Sequence, residues 1–383
     1  MTHGLIDTEW ANPVNYERLR NERLAKARAA MAENQMEALV CFTHENIKYV
    51  SGIFPMAVPK PRQYCILTLK NGPIFYAQGG DLGRFRENLP GQEVRIAVPL
   101  HLASRQEIVS WAVGLKNTFS DLGVKGGKIG FDQISFSLLA ALQEAKIEAQ
   151  DGGKVLARAR AIKTADEIEL IRASVALADV AWIEARSVFR PGVRECDIQA
   201  AMAKVLLERG AEMIRGVCTV RSYPYWRTFT SDRQARPGDI LIIDRVHIYK
   251  GYGCDHVRSF VCGKATARQK EIFKKCRDRL QGAMEEVKPE NTTADVQGKL
   301  GDPADYSETG LSFMHGIGLD IHEWPFASAS SPKDPVALKQ NMVFAIETYA
   351  HDETHGVRLE HNILVTKNGY EILSTYPLGE DFE

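Results

Sequence analysis

Four acidic residues, arranged in two pairs, constrain this chain more than any other feature of its sequence. Asp244 and Asp255 lie in DILIIDRVHIYKGYGCDHVRSFVC, and Glu347 and Glu360 lie in MVFAIETYAHDETHGVRLEHNILV. Each segment consists of two apolar, β-branched runs around a turn-like middle, which is the pattern of a β-hairpin. Each acidic pair is placed roughly symmetrically about its own turn.

Residues at symmetric positions of a hairpin face each other across the strands, with Cβ atoms about 4.5–5.5 Å apart. Like charges at that distance destabilise the pairing unless a cation lies between them. We therefore predict that the two members of each pair face each other, and that both pairs contribute to one carboxylate-rich metal site.

The stretch FMHGIGLDIHEWP adds two histidines, His315 and His322, to these carboxylates. Its glycines at 316 and 318 allow the backbone to approach a site closely. One imidazole with four carboxylates favours Mn, Co, Fe or Zn in a paired site over a thiolate-type structural zinc. Two such ions, about 3.5–4 Å apart, can share a hydroxide and polarise a carbonyl. The expected chemistry is hydrolysis without a side-chain nucleophile.

Taken one at a time, these residues have ordinary structural explanations. An Asp in a hairpin usually faces solvent or caps a turn, and a lone His more often makes a structural hydrogen bond. The metal site is favoured because two symmetric hairpins and a glycine-flanked His occur in the same chain.

Length and composition are typical of a globular protein with two domains. The chain has 383 residues, of which 44% are hydrophobic and 25% charged, and its net charge is -1. This balance indicates neither a nucleic-acid nor a membrane partner. The first twenty residues lack the pattern of a secretion signal, and seven scattered cysteines without CxxC spacing favour reduced thiols. We therefore expect a cytoplasmic protein.

The two halves of the chain differ in pattern. Short apolar runs such as ALVCF, YCILTL and KIGFD alternate with helical stretches in the first half, which predicts an α/β domain. A long helix is predicted to begin after Thr164, with Glu167 at capping-box spacing. The boundary is predicted near residues 155–162, which gives domains 1–158 and 159–383.

The order of these motifs resembles the creatinase–prolidase–methionine aminopeptidase superfamily, whose catalytic domain has the pita-bread fold. The resemblance rests on two Asp residues eleven positions apart and on the motifs HGIGLDIHE, IE and GVRLE. Together with the junction ARAIKTADEIELIR, these motifs extend the resemblance over nearly the whole chain. The junction and the α/β domain resemble the creatinase, prolidase and aminopeptidase P branch. The resemblance implies an α/β creatinase-like N-terminal domain followed by an α+β pita-bread catalytic domain.

The resemblance also implies a role for each motif residue. Asp255 and Glu360 would bridge two divalent ions, His322 would contact the substrate, and Glu347 would also carry a proton. The full set of implied metal ligands is Asp244, Asp255, His315, Glu347 and Glu360. The implied protein is a homodimeric, metal-dependent hydrolase of a C–N bond, acting on an Xaa-Pro dipeptide or on a small amide or amidine acid.

Four positions need separate comment, because they depart from the family, have two explanations or are excluded as ligands. Arg227 stands where the peptidases usually have a histidine, seventeen residues before Asp244, and its guanidinium would bind a carboxylate of the substrate. Trp226 would cover a substrate ring or stack on a cation; the alternative is that Arg227 forms a surface ion pair and Trp226 is core. Arg358 is expected either to bind substrate or to form an ion pair on its strand. His247 is not counted as a ligand, because regular strand alternation places its side chain on the face opposite to that of Asp244.

Two other functions remain open from the sequence. A lyase that acts on a small zwitterionic acid, such as dimethylsulfoniopropionate, would use the same metal centre, although Val246 stands where that lyase is expected to carry an additional Asp. A binding protein that kept the fold would have lost ligands, and here all five are present.

Overall fold

The computed structural model describes residues 13–53, 63–224, 229–301, 313–328 and 334–382. The chain divides into two compact units, of which one spans Asn15–Arg160 and the other consists mainly of the chain from Ala161 onward. The predicted boundary after residue 158 lies close to this division. None of the described helices is long and apolar enough to cross a membrane.

The first unit alternates helices and strands, as its sequence pattern predicts. Its described elements are α1 (Tyr16–Glu33), β1 (Met36–Cys41), α2 (His44–Ser51), β2 (Tyr64–Thr68), β3 (Ile74–Ala77), α3 (Gly80–Asn88), β4 (Glu93–Ile96), α4 (Arg105–Asp121), β5 (Lys128–Phe131), α5 (Phe136–Glu144), β6 (Ala149–Asp151) and α6 (Gly153–Ala161).

The strands of the first unit form one mixed sheet in the order β4-β3-β2-β1-β5-β6. β1 pairs antiparallel with β2 and parallel with β5. Helix α4 begins with a capping box between Ser104 and Glu107, which satisfies amide groups that would otherwise lack partners. Its apolar side, including Trp111 and Leu115, belongs to the buried core on the sheet.

The second unit places two helices before its strands. Its described elements are α7 (Ala165–Val188), α8 (Glu195–Glu208), β7 (Met213–Thr219), β8 (Ile240–Tyr249), β9 (Tyr252–Val261), α9 (Ala267–Glu285), α10 (Thr293–Gln297), β10 (Phe313–Gly316), β11 (Glu323–Ser328), β12 (Val343–His351), β13 (Gly356–Val365), β14 (Tyr370–Ile372) and a 3₁₀ turn (Glu380–Phe382). The predicted capping box at the start of α7 is confirmed, since Thr164 and Glu167 bond reciprocally.

The strands of the second unit form a three-stranded sheet, β7-β8-β9, and a five-stranded sheet, β11-β10-β12-β13-β14. β9 and β13 lie side by side, because the Ser259 hydroxyl accepts from the Arg358 amide at 3.0 Å and donates to the Arg358 carbonyl at 2.9 Å. The two predicted hairpins, β8–β9 and β12–β13, are therefore neighbours.

The register of the two hairpins differs. In β12–β13, Glu347 lies directly opposite Glu360, which confirms the prediction. In β8–β9 the prediction that Asp244 and Asp255 are directly opposite is wrong: the partner of Asp244 is Val257, and that of Asp255 is Val246.

The tight turn of β8–β9 explains this register. Lys250 and Gly251 both have positive φ, 48° and 81°, as a two-residue turn matching the strand twist requires. The hairpin is thus centred one residue later than the acidic pair. The two aspartates remain on the same face, because the displacement between them is two residues and side chains alternate with a period of two.

Candidate metal centre

The five predicted ligands lie on five strands of the second unit and are all buried. Less than a tenth of the surface of each is exposed. They are Asp244 on β8, Asp255 on β9, His315 on β10, Glu347 on β12 and Glu360 on β13. The fold thus brings together residues that are up to 116 positions apart in the sequence.

Within this cluster, two groups of side chains bring their ligand atoms within 4.8 Å of one another. One group is His315, Glu347 and Glu360, and the other is Asp255, His315 and His322. His315 belongs to both groups, and Asp244 adjoins them through Arg358, as described below.

The imidazole of His315 is oriented so that one nitrogen faces the carboxylates. Its Nδ1 lies 3.0 Å from the Gly316 carbonyl, to which it can only donate a proton. Nε2 then carries the lone pair, 3.8 Å from Asp255 Oδ2 and 3.9 Å from Glu360 Oε1. Burial, together with the neighbouring His322, lowers the pKa of His315 to about 3. The ring is therefore neutral at physiological pH, as a metal ligand must be.

Glu360 carries a buried carboxylate whose oxygens accept no hydrogen bond within the described part of the chain. Neither carboxylate oxygen of Glu360, nor Nε2 of His315, has a hydrogen-bond partner among the described residues. Burial raises the pKa of Glu360 well above its ordinary value, and the charges of Asp255 and Glu347 raise it further. Buried polar atoms normally have partners, so these three atoms point to a cation as the missing one.

Arg358 lies inside the carboxylate cluster. Its guanidinium, from β13, donates to Asp244 Oδ2 at 2.5 Å and to Glu347 Oε2. The side chain is 1% exposed, so its charge is directed at two candidate ligands. Of the two expectations for Arg358, the structure shows an ion pair, formed with carboxylates on β8 and β12; a contact with substrate stays a prediction.

His322 lies at the open side of the cluster. Its side chain is 54% exposed, and its Nε2 is 3.7 Å from Asp255 Oδ2. The ring meets His315 edge-on, with 4.3 Å between ring centroids and an angle of 81° between the planes. An exposed imidazole beside a buried ligand set is accessible to a substrate.

The loop that carries His322 is held by a buried ion pair that the sequence reasoning missed. Glu323 Oε1 accepts from the amides of Leu319 and Asp320, at 3.1 and 3.2 Å. Its other oxygen pairs with Lys163 Nζ at 3.2 Å, and both side chains are 1% exposed. The sequence offers one signal, the Glu directly after His322, but Lys163 lies 160 residues away.

Other polar residues on these strands point away from the cluster. His247 Nε2 lies 2.8 Å from the Ser174 carbonyl of α7, and Arg245 donates to Gln199 Oε1 of α8 at 2.7 Å. Both lie on the opposite face from Asp244, as strand alternation predicts. Trp226 and Arg227 lie outside the described residues.

The donor set fits divalent metal ions of the harder transition series. It contains carboxylate oxygens and one neutral imidazole nitrogen, and the Arg358 guanidinium pairs with two of the four carboxylates. Such oxygen- and nitrogen-rich sites suit Mn, Co, Fe and Zn. The positive charge that the cluster lacks is the charge that metal ions would bring.

Comparison with known proteins gives matches over nearly the whole chain. The model of metallopeptidase family M24 matches residues 169–367, and that of the creatinase/prolidase N-terminal domain matches residues 23–162. An Xaa-Pro dipeptidase of Pyrococcus horikoshii is 26% identical over 365 residues, covering 92% of this chain and 97% of that protein. An Xaa-Pro dipeptidase of Pyrococcus furiosus is 27% identical over 366 residues, covering 92% and 97%.

Solved structures show the same fold. The prolidase structure from Pyrococcus horikoshii superposes with a TM-score of 0.75 at 25% identity, covering 93% of this chain and 99% of that one. These matches confirm the predicted fold class, an α/β creatinase-like domain followed by a pita-bread catalytic domain.

Proposed function

The chain belongs to metallopeptidase family M24, and on that premise we propose that this metal-dependent hydrolase is an Xaa-Pro dipeptidase with a two-metal centre. The observation that carries the metal site is the buried cluster in which Glu360 and His315 present three polar atoms without hydrogen-bond partners among the described residues. The substrate class is supported by relatives named Xaa-Pro dipeptidase that align along more than nine-tenths of this chain.

The proposed ligands are the five residues that the sequence singles out. Asp244, Asp255, His315, Glu347 and Glu360 would together hold two divalent ions. When bound, such ions lower the pKa of water and polarise the scissile carbonyl. Arg358 holds Asp244 and Glu347 by charge-assisted hydrogen bonds, which are stronger than neutral ones, and so keeps both carboxylates in place.

The remaining steps are assigned to Glu347 inside the cluster and to His322 at its open side. Hydrolysis adds water across the C–N bond, and one proton of that water must reach the leaving nitrogen. We assign its transfer to Glu347. His322 is assigned to the substrate carbonyl, because its exposed ring lies 3.7 Å from the carboxylate of Asp255 and can donate from Nε2.

The substrate assignment is tested by hydrolysis of matched dipeptides. We expect metal-loaded enzyme to cleave Leu-Pro and Ala-Pro, and to act at least about tenfold less efficiently on Leu-Ala, which corresponds to a difference of about 1.4 kcal/mol in transition-state binding. Product analysis by chromatography measures both. Equal efficiency on Leu-Pro and Leu-Ala would remove the prolyl specificity while leaving the peptidase intact.

The metal assignment is tested separately by elemental analysis. Chelator-treated protein should be inactive, recover activity with Mn, Co, Fe or Zn, and take up close to two ions per chain. Uptake of one ion at full activity would contradict the paired site. Relatives and described residues alike give nothing that favours the lyase alternative, and the same assays, run with dimethylsulfoniopropionate, check it.

A further inference from the structure

A cavity of about 650 Å³ lies within the first unit, apart from the residues of the candidate metal centre. Its walls come from the sheet and from helices α4 and α5, and include Phe42, Tyr64, Ile108, Val109, Leu138 and Ala141. The volume lies in the range of small-molecule sites, about 300–1,000 Å³, and mostly apolar walls are typical of them.

One wall of this cavity carries a buried amide with a defined orientation. Gln63 is 2% exposed, and its Nε2 donates to the Asp81 carboxylate. Asp81 is itself held by Arg84 at 2.5 Å. Because a carboxylate only accepts hydrogen bonds, the NH₂ group of Gln63 must face Asp81. Its Oε1 therefore faces elsewhere, and it has no hydrogen-bond partner in the described part of the chain.

A second unsatisfied atom lies on the same cavity. His101 is among the lining residues, and its Nδ1 is buried without a partner within the described ranges. Buried polar atoms without partners cost free energy, so two of them on one apolar cavity require an explanation. A ligand with a polar end would supply the missing partner for these buried atoms.

We propose that this cavity binds a small organic molecule that joins an apolar or aromatic body to an N–H or O–H donor. The donor is accepted by Gln63 Oε1. The body lies against the rings of Phe42 and Tyr64, whose centroids are 5.4 Å apart, and against Leu138. Selectivity comes from the buried amide oxygen, since a ligand that cannot donate leaves that oxygen unpaired.

A matched pair of probes tests this chemistry on the full chain. 2-Phenylethanol can donate a hydrogen bond, while its methyl ether has the same ring and can only accept. We expect the alcohol to bind one site per chain about tenfold more tightly than the ether, as the loss of a partner for a buried acceptor implies. 2-Phenylethylamine distinguishes an amine ligand from a hydroxyl ligand. Titration followed by ligand-observed NMR measures all three affinities.

Two substitutions locate the binding, and a third is their matched control. Gln63→Leu should abolish the preference for alcohol over ether. Gln133→Leu should keep it, because Gln133 lies on the same cavity but is exposed, so water satisfies its amide. Val109→Phe should weaken the binding of both probes at least about tenfold, because the larger side chain fills the cavity. Val109 is only partly buried on α4, so this variant should fold and test the proposal even if Gln63→Leu does not fold.

The proposal is independent of the metal centre, and the readout is binding rather than activity. Glu360→Gln should therefore leave the affinity for 2-phenylethanol unchanged. The proposal is overturned if neither the alcohol nor the amine binds saturably, if ether and alcohol bind equally to the unmodified chain, or if Val109→Phe leaves the affinities unaltered.

Discussion

Among single residues, Glu360 shows most directly how the site handles charge. It is buried opposite Glu347 and near Asp255, and its oxygens have no hydrogen-bond partner among the described residues. An ionised carboxylate in such a place is unfavourable without a cation. Its carboxylate therefore costs stability in the absence of metal and supplies binding energy in its presence.

Replacing Glu360 by its neutral isostere separates these two effects. We expect Glu360→Gln to lower kcat/KM by more than about a hundredfold, beyond the ten- to hundredfold loss typical when a residue behind a ligand is changed. Metal per chain should also fall. The metal-free variant should be as stable as the metal-free parent or more so, because like charges opposite each other are destabilising.

The matched control is Glu371→Gln, which removes a half-exposed carboxylate on β14 that pairs with Arg172. A surface ion pair contributes about 0–1 kcal/mol, so this variant should keep full activity and metal content. Normal turnover by Glu360→Gln would show that Glu360 is not a ligand.

At the scale of elements, a glycine on β7 allows this strand to pack closely against β8. Gly216 on β7 pairs with Arg245 on β8 and has φ of +131°, a conformation that residues with a side chain rarely adopt. A Cβ at this position would lie 2.1 Å from the carbonyl oxygen of Asp244. The glycine is therefore required for the strand that carries the first ligand to lie where it does.

We expect Gly216→Ala to cost at least about 2 kcal/mol of unfolding free energy, since the methyl group must displace a backbone carbonyl. In the folded fraction, kcat/KM should fall at least about tenfold, because small displacements of reacting groups are costly. Urea unfolding and dipeptide hydrolysis measure the two effects.

Gly192→Ala serves as the comparison. Gly192 also has a positive φ, +86°, but nothing lies within 4 Å of the added carbon. Its cost should be about 1 kcal/mol, from backbone strain alone, with activity unchanged. Equal effects of the two substitutions would mean that contact with Asp244 is unimportant.

At the scale of the whole molecule, the second unit contains several buried histidines that are neutral. Burial lowers the pKa of His247 to about 4 and also lowers the pKa values of His256 and His361. In the unfolded chain such groups accept a proton near pH 6.5. Acidification therefore favours the unfolded state, which binds more protons.

His247 allows this effect to be isolated. Its folded-state pKa lies below the unfolded value, so its contribution is complete above about pH 6.5 and is lost as the pH falls toward about 4. Between pH 7.5 and pH 5, we expect the unfolding free energy of the parent to fall by about 2 kcal/mol more than that of His247→Gln. The rate of this loss is about 1.4 kcal/mol per pH unit. Glutamine can still donate to the Ser174 carbonyl that His247 faces.

Urea unfolding of both proteins from pH 7.5 to 5, followed by far-ultraviolet circular dichroism, gives the two curves. They should converge as the pH falls, since the titration is absent from the variant. Curves that stay parallel would show that His247 is protonated equally in both states.

The sequence by itself determined the features that depend on residue type and short spacing. The hairpin of Glu347 and Glu360, the capping box of Thr164 and Glu167 and the alternation of the first domain all appear in the structure as predicted. These features arise from contacts within a few residues or across one turn. Local patterns therefore carry enough information to specify them.

The three-dimensional structure decided the exact geometry of one turn and everything that depends on residues far apart in the chain. The offset of Asp244 from Asp255 follows from the backbone angles at Lys250 and Gly251, which the spacing of the acidic residues does not reveal. The absence of hydrogen-bond partners for the Glu360 carboxylate, among the described residues, depends on which side chains pack around it. Lys163 and Glu323 meet across 160 residues, and the cavity beside Gln63 exists only because sheet and helices pack around it. Burial and charge pairing of this kind result from packing between distant elements, so residue spacing alone could not predict them.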